Sequence, residues 1–164
     1  MATLTVTHTE SVTLNGAARG STNSLSITGV DDIYHRIITV PSGDTTIATF
    51  HSTVAVSDAS LDISHARYIR VTNLDSSAAI VLQLNIDTGN DDSVADENVA
   101  IKVGAGESFL MGSMDAGIAS SGGTTAGDDT AAATIAVGAL EDLESIAVTA
   151  PSEVKVELFV ASVA

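Results

Sequence analysis

Cysteine and tryptophan are absent from this chain, and each absence closes off a class of chemistry. Without cysteine there are no disulfides, thiolate zinc sites or thiol nucleophiles, although the lack itself does not reveal the redox compartment. Without tryptophan, and with only two tyrosines and three phenylalanines, there is little material for platforms on which sugars or bases stack. No uninterrupted apolar run is long enough to cross a bilayer, and no basic stretch followed by an apolar one opens the sequence. The expectation is a soluble protein with no visible targeting signal and no membrane partner.

Positive charge is also scarce. Six lysines and arginines stand against 21 acidic residues, a formal charge of −15. Such a chain repels phosphate backbones and anionic lipids and has no basic footprint for counterion release, so nucleic-acid binding is not expected. The imbalance deepens along the sequence: after Arg70 the remaining bases are Lys102 and Lys155. At 164 residues the chain suits one domain, and a fold of about 150 residues buries roughly 70% of its unfolded surface without needing a staple.

What the chain does have is period-two alternation, the signature of strands with one face buried. Leu4 and Val6, Val12 and Leu14, and Leu25 and Ile27 each alternate with polar residues, and Asn15-Gly16 and Arg19-Gly20 punctuate them. Asn-Gly supplies the positive backbone angles that a tight turn requires. Ile33–Val40 and Thr45–Phe50, joined by Pro41-Ser42-Gly43-Asp44, read as a hairpin. Arg67–Asp75 and Ala79–Ile86 read as a second strand pair, with Ile80, Leu82, Leu84 and Ile86 on one face. Val99, Ile101 and Val103 lead through the turn Gly104-Ala105-Gly106-Glu107 into Ser108–Met111, and Val154, Val156, Leu158 and Val160 make a last alternating strand.

Two segments carry no such signal. The Gly/Ser/Thr/Asp-rich stretch at about 119–133 holds nothing large to bury and reads as a long flexible loop. Gly138–Ser145 is a run of helix formers with apolar spacing, which suggests a helical turn or two. The sum is an all-β fold, a single β-sandwich domain of jelly-roll type spanning 1–164. Ile69, Val71, Ile80, Leu82, Leu84, Val156, Leu158 and Val160 are expected between its two sheets.

Candidate chemistry is thin. His8, His35, His51 and His65 sit in separate segments and match no zinc-ligand spacing. Asp31-Asp32-Ile33-Tyr34-His35-Arg36 is the densest polar cluster, but a strand sends alternate members to opposite faces, so a local salt bridge or a contact between subunits is expected rather than acid/base work. Asp87, Asn90, Asp91, Asp92, Asp96 and Glu97 offer hard oxygen ligands in the acidic loop 87–98. Their order does not place a glycine and a closing glutamate at the positions an EF-hand requires, so no required metal site is expected. Gly104-Ala105-Gly106-Glu107 has no following lysine and no helix, which makes it a β-turn and not a phosphate cradle. Neither a catalytic residue nor a cofactor or metal site is assigned.

The segments Tyr34-His35-Arg36-Ile37-Ile38-Thr39-Val40-Pro41, Arg67-Tyr68-Ile69-Arg70-Val71-Thr72-Asn73-Leu74-Asp75 and Ala105-Gly106-Glu107-Ser108-Phe109 together carry a resemblance. In this order the chain resembles small structural proteins of marine tailed bacteriophages, the cyanophage type especially. The resemblance implies a virion component on the capsid exterior, made in the host cytoplasm and bound to the major capsid protein as a head decoration or cement protein. A tail or fibre component is its runner-up. It implies no catalytic residue. Unprotected strand edges favour closed self-association, and the threefold positions of an icosahedral shell suit a homotrimer, with strand edges and residues 119–130 as contact elements. A host-binding or glycan-binding module and a metal-dependent jelly-roll enzyme are the competing classes, the latter disfavoured by the histidine spacing.

Overall fold

A computed structural model describes residues 2–51, 61–87, 97–112, 119–120 and 141–164, and among them every regular element is a strand. In chain order these are β1 (Ala2–Thr9), β2 (Thr13–Leu14), β3 (Ala17–Ala18), β4 (Thr22–Val40), β5 (Gly43–His51), β6 (Leu61–Asp62) and β7 (Ala66–Asn73). They continue with β8 (Ile80–Asp87), β9 (Glu97–Val103), β10 (Ser108–Gly112), β11 (Ala119–Ser120), β12 (Glu141–Ala150) and β13 (Val154–Val163). One sheet has the order β1-β4-β13-β7-β10 and the other β6-β5-β12-β8-β9, with β11 on the start of β12 and β2–β3 as a separate ribbon. All pairings are antiparallel except β5 with β6. The result is an all-β, sandwich-like architecture.

Alternation explains why the sheets face each other. On β13, Val154, Val156, Leu158 and Val160 point inward while Lys155, Glu157 and Phe159 point away. β7 contributes Ile69 and Val71, β8 Ile80, Leu82 and Leu84, β12 Ile146 and Val148, and β5 Phe50; all belong to one core cluster. Each such side chain stabilises the fold by about 1.5–3 kcal/mol relative to exposure. The eight residues expected between the sheets are all buried there.

The neighbour relations differ from the sequence expectation. Ile33–Val40 and Thr45–Phe50 are not a hairpin: β4 and β5 lie in different sheets, and Pro41-Ser42 carries the chain from one to the other. Arg67–Asp75 and Ala79–Ile86 are likewise not paired, since β7 and β8 face each other across the core. β9 to β10 and β12 to β13 cross in the same way. A corner and a hairpin need the same alternation and the same turn residues, so the pattern identifies the buried face without identifying the neighbouring strand. Asn15-Gly16 does close a hairpin, β2–β3, with both residues at positive φ, 51° and 78°.

Residues 141–145 of the expected helical turn belong to β12 instead. The register slips between Leu143 and Ser145, so the buried Leu143 and Ile146 stand three apart and mimic helical spacing before Ile146, Val148 and Ala150 resume period two. Ala119 and Ser120, assigned to the long loop, form β11; the rest of 119–133 lies outside the described residues, as do residues 88–96 of the acidic loop.

The two middle crossings are tied together by Asn73, which is fully buried. Its side-chain amide donates to the carbonyls of Ala78 at 2.8 Å and Gly104 at 3.0 Å, and its Oδ1 accepts from the Asp75 N–H at 3.0 Å. Its backbone N–H donates to the Glu107 carbonyl and its own carbonyl accepts from Gly106 N–H. Next to it, hydrogen bonds from the N–H groups of Ala78 and Ser77 and the Ser77 hydroxyl hold the Asp75 carboxyl below its ordinary pKa.

At the outer side, β4 changes partners. Residues 22–30 pair with β1 and residues 30–40 with β13, and Gly29, at φ 77°, sits at the exchange. The β1–β4 ribbon covers one end of the outer face of its sheet through Leu4, Val6, Leu25 and Ile27, which pack with Tyr68, Phe159 and Ala161. Gly112 leaves room for Leu25, whose Cδ2 lies 3.1 Å from where a Cβ would stand.

Replacing Leu82 with Asp puts an unpaired charge at a fully buried position, and the L82D chain is expected to show no cooperative thermal transition by circular dichroism. Asn73→Ala strands the carbonyls of Ala78 and Gly104 and should lower stability in urea titration by about 3 kcal/mol.

Candidate functional site

The strands bring the sequence candidates to separate places. His8 lies near Glu10 on exposed β1 at 3.5 Å, His65 pairs with Asp62 at 3.1 Å before β7, and His51 ends β5. Among the described residues no three histidine or carboxylate side chains gather as metal ligands. Asp87 and Glu97 are strand ends, while Asn90, Asp91, Asp92 and Asp96 lie outside the described residues. Gly104 and Glu107 form a tight turn, with the Glu107 N–H bonded to the Gly104 carbonyl and the Gly104 N–H bonded to the Glu107 carboxylate at 2.8 Å.

The cluster Asp31–Arg36 is split by strand alternation. Tyr34 and Arg36 share one side, with the guanidinium 5.3 Å from the ring centre, and His35 goes to the outer face. There it meets groups that sequence reasoning did not connect. The register aligns His35, Phe159, Arg70 and Leu110 in one row across β4, β13, β7 and β10. The next row is Ile37, Glu157, Thr72 and Ser108. Glu157 bridges the rows, one carboxylate oxygen 2.7 Å from His35 Nε2 and the other 2.9 Å from Arg70. Arg70 also lies over the Phe159 ring, and His35 and Tyr68 contact that ring at its sides. Burial pushes the Tyr68 phenol above its ordinary pKa, with Arg70 partly opposing.

Around this cluster large apolar side chains face outward: Ile33 at 50%, Ile37 at 62% and Leu110 at 50% exposure. Leu74, bonded through its N–H to the Lys155 carbonyl, is exposed beside them. The opposite outer face is different in kind. Asp44, Thr149, Gln83 and Asn98 form a hydrogen-bonded ladder across β5, β12, β8 and β9, and Asn85 donates to Ser145 beside it. That ladder bonds its polar groups to one another and suits water. The first presents apolar area ringed around a fixed charge cluster, which is the composition of a contact surface.

Concave space does not compete with it. A depression of about 330 Å³ is lined by Ser26, Ile27, Thr28, Gly29, Arg67 and Val163, and one of about 300 Å³ by Ile80, Val81, Lys102, Thr149 and Pro151. Neither brings an acidic and a basic side chain together among its lining residues.

Removing the Glu157 carboxylate leaves Arg70 without its ion partner, and the Arg70 Nε is already buried and unbonded. Glu157→Ala is expected to cost about 1 kcal/mol in urea titration, more than Glu153→Ala in the exposed turn before β13.

No protein-family model matches the sequence, and no curated protein and no solved structure matches it either.

Proposed function

We propose that this chain is a non-enzymatic virion protein of a tailed bacteriophage, a capsid decoration protein that binds the major capsid protein from outside and associates with itself as a trimer. The observation that carries the reading is the outer face of the β4-β13-β7-β10 sheet, where Ile37, Leu74 and Leu110 stand exposed around the His35–Glu157–Arg70 cluster. A cement protein acts through contact area alone, and this face offers area without reactive groups arranged for chemistry. We further infer that the sandwich is of the jelly-roll type. The facing orders β4-β13-β7-β10 and β5-β12-β8-β9, with short corners carrying the chain between sheets from β4 to β5, β7 to β8, β9 to β10 and β12 to β13, support that topology, which recurs in viral shell proteins and in lectins. Fold alone does not choose among those uses. The phage-like segments in β4, β7 and β10 tip the choice toward the virion.

Cryo-electron microscopy of the particle is the test. Density for this chain at capsid threefold positions is the expected result, with Leu110→Asp and Arg70→Glu leaving those positions empty. Density confined to tail or fibres would replace decoration with a tail component, and density at a fibre tip with a host-binding module.

A further inference from the structure

β4 has one strand too few along half its length. β1 leaves it at Val30, and among the described residues no strand lies beside residues 31–40 on the side away from β13. Such a row of unpaired backbone donors and acceptors is a template for another strand, and chains that keep an edge single blunt it with proline, lysine or a bulge. This edge has no proline or lysine before its end at Val40, its register with β13 is unbroken from Asp32 to Val40, and Ile33 and Ile37 stand exposed along it. The charges that it does carry, Asp31, Asp32 and Arg36, are of both signs, so they discourage an unlike strand while leaving a second copy of the same edge able to match them.

We infer that residues 31–39 of β4 pair antiparallel with the same residues of a second copy, about a twofold axis at His35. The residues themselves select this occupant and this register. Directly opposed side chains in an antiparallel pair share a face, and those two positions farther along remain within reach of long side chains. Centred on His35, each Ile33 faces Ile37 of the second copy, and each Arg36 faces Tyr34 of the second copy with Asp32 on the diagonal. The outer Ile33–Ile37 contact and the inner Arg36–Tyr34 contact each form twice by symmetry, with His35 meeting His35 on the axis and Asp32 opposite Ile38. Centring on Tyr34 would set Ile37 against Asp31, and centring on Arg36 would set the two guanidiniums against each other. The Arg36 side chain already lies over the Tyr34 ring of its own strand, so the edge presents a preformed cation beside its aromatic partner. Pairing also joins two outer sheet faces into one, with the cluster of His35, Glu157 and Arg70 repeated on each side of the axis.

The pairing is independent of where the chain works and adds a twofold contact to the threefold association proposed above. Sedimentation equilibrium of the purified chain at about 100 µM is the test. The expected result is an even-numbered assembly whose mass Ile37→Lys halves: hexamer to trimer if the threefold association holds, dimer to monomer if it does not. Asp32→Arg and Arg36→Asp should each weaken assembly by about tenfold, and the two together should restore it, because the exchanged charges again meet across the axis. The thermal transition of the diluted variants checks that they fold. A wild-type monomer or bare trimer, an Ile37→Lys chain of unchanged mass, or a double variant weaker than both single ones would overturn the twofold pairing. Decoration of the capsid would be left untouched by any of these.

Discussion

The bond set of Asn73 is the constraint from which much of the architecture follows. A sandwich whose chain crosses repeatedly from one sheet to the other must turn at its own rim each time, and each corner exposes backbone groups close to the core. Asn73 ends β7 at the point where two corners meet, the one leading to β8 and the one arriving from β9. One amide, with two donors and an acceptor, satisfies carbonyls from both corners and the N–H of Asp75. Apart from Tyr68 it is the only buried polar residue among the described ones, and both its amide group and its oxygen are bonded. An apolar residue of similar size would fill the space and leave those backbone groups unpaired, which is the more costly arrangement. With the corners fixed, the facing of β7 and β8 across the core is fixed as well.

How far the sequence could be read follows from what alternation encodes. Period two marks Val154, Val156, Leu158 and Val160 as one face and Ile80, Leu82 and Leu84 as another, and both faces are buried as the pattern requires. It does not encode which strand lies beside which, because Pro41-Ser42 and the polar residues after Asn73 serve a corner as well as a hairpin. β12 was hidden for a different reason. The register shift after Leu143 turns a period of two into a spacing of three, and the short stretch then reads as helix. The outer-face cluster was legible only in parts. His35 was visible as a polar residue in a strand and Glu157 as an outward position, but their meeting with Arg70 depends on β13 lying between β4 and β7, an order no local pattern contains.

The two outer faces show what the same strand geometry does with different residues. Across β5, β12, β8 and β9, the outward positions include Asp44, Thr149, Gln83 and Asn98, which bond sideways to each other and leave water in contact with the sheet. Across β4, β13, β7 and β10, the outward positions alternate isoleucine, phenylalanine and leucine with His35, Glu157 and Arg70. There the charged groups pair among themselves above an aromatic ring, which keeps them from needing water on every side. A surface of this second kind loses less on being covered, since His35, Glu157 and Arg70 already pair with one another and large apolar side chains stand exposed around them.

A chain of −15 must still overcome repulsion to associate at all. The placement of the few cations bears on this. Arg36, Arg67, Arg70 and Lys155 stand on β4, β7 and β13 against Asp31, Asp32 and Glu157 of the same sheet, and Glu157 is engaged by His35 and Arg70. That sheet is therefore the least acidic part of the described surface and the place where another acidic surface, a second copy included, meets the smallest electrostatic barrier. At an ionic strength of about 0.15 M charges beyond about 8 Å are largely screened, so the local balance at a contact matters more than the total. The proposed meeting of Arg36 with Asp32 of a second copy uses that locality: an acid that adds to the repulsion at long range becomes an attractive partner at the edge itself.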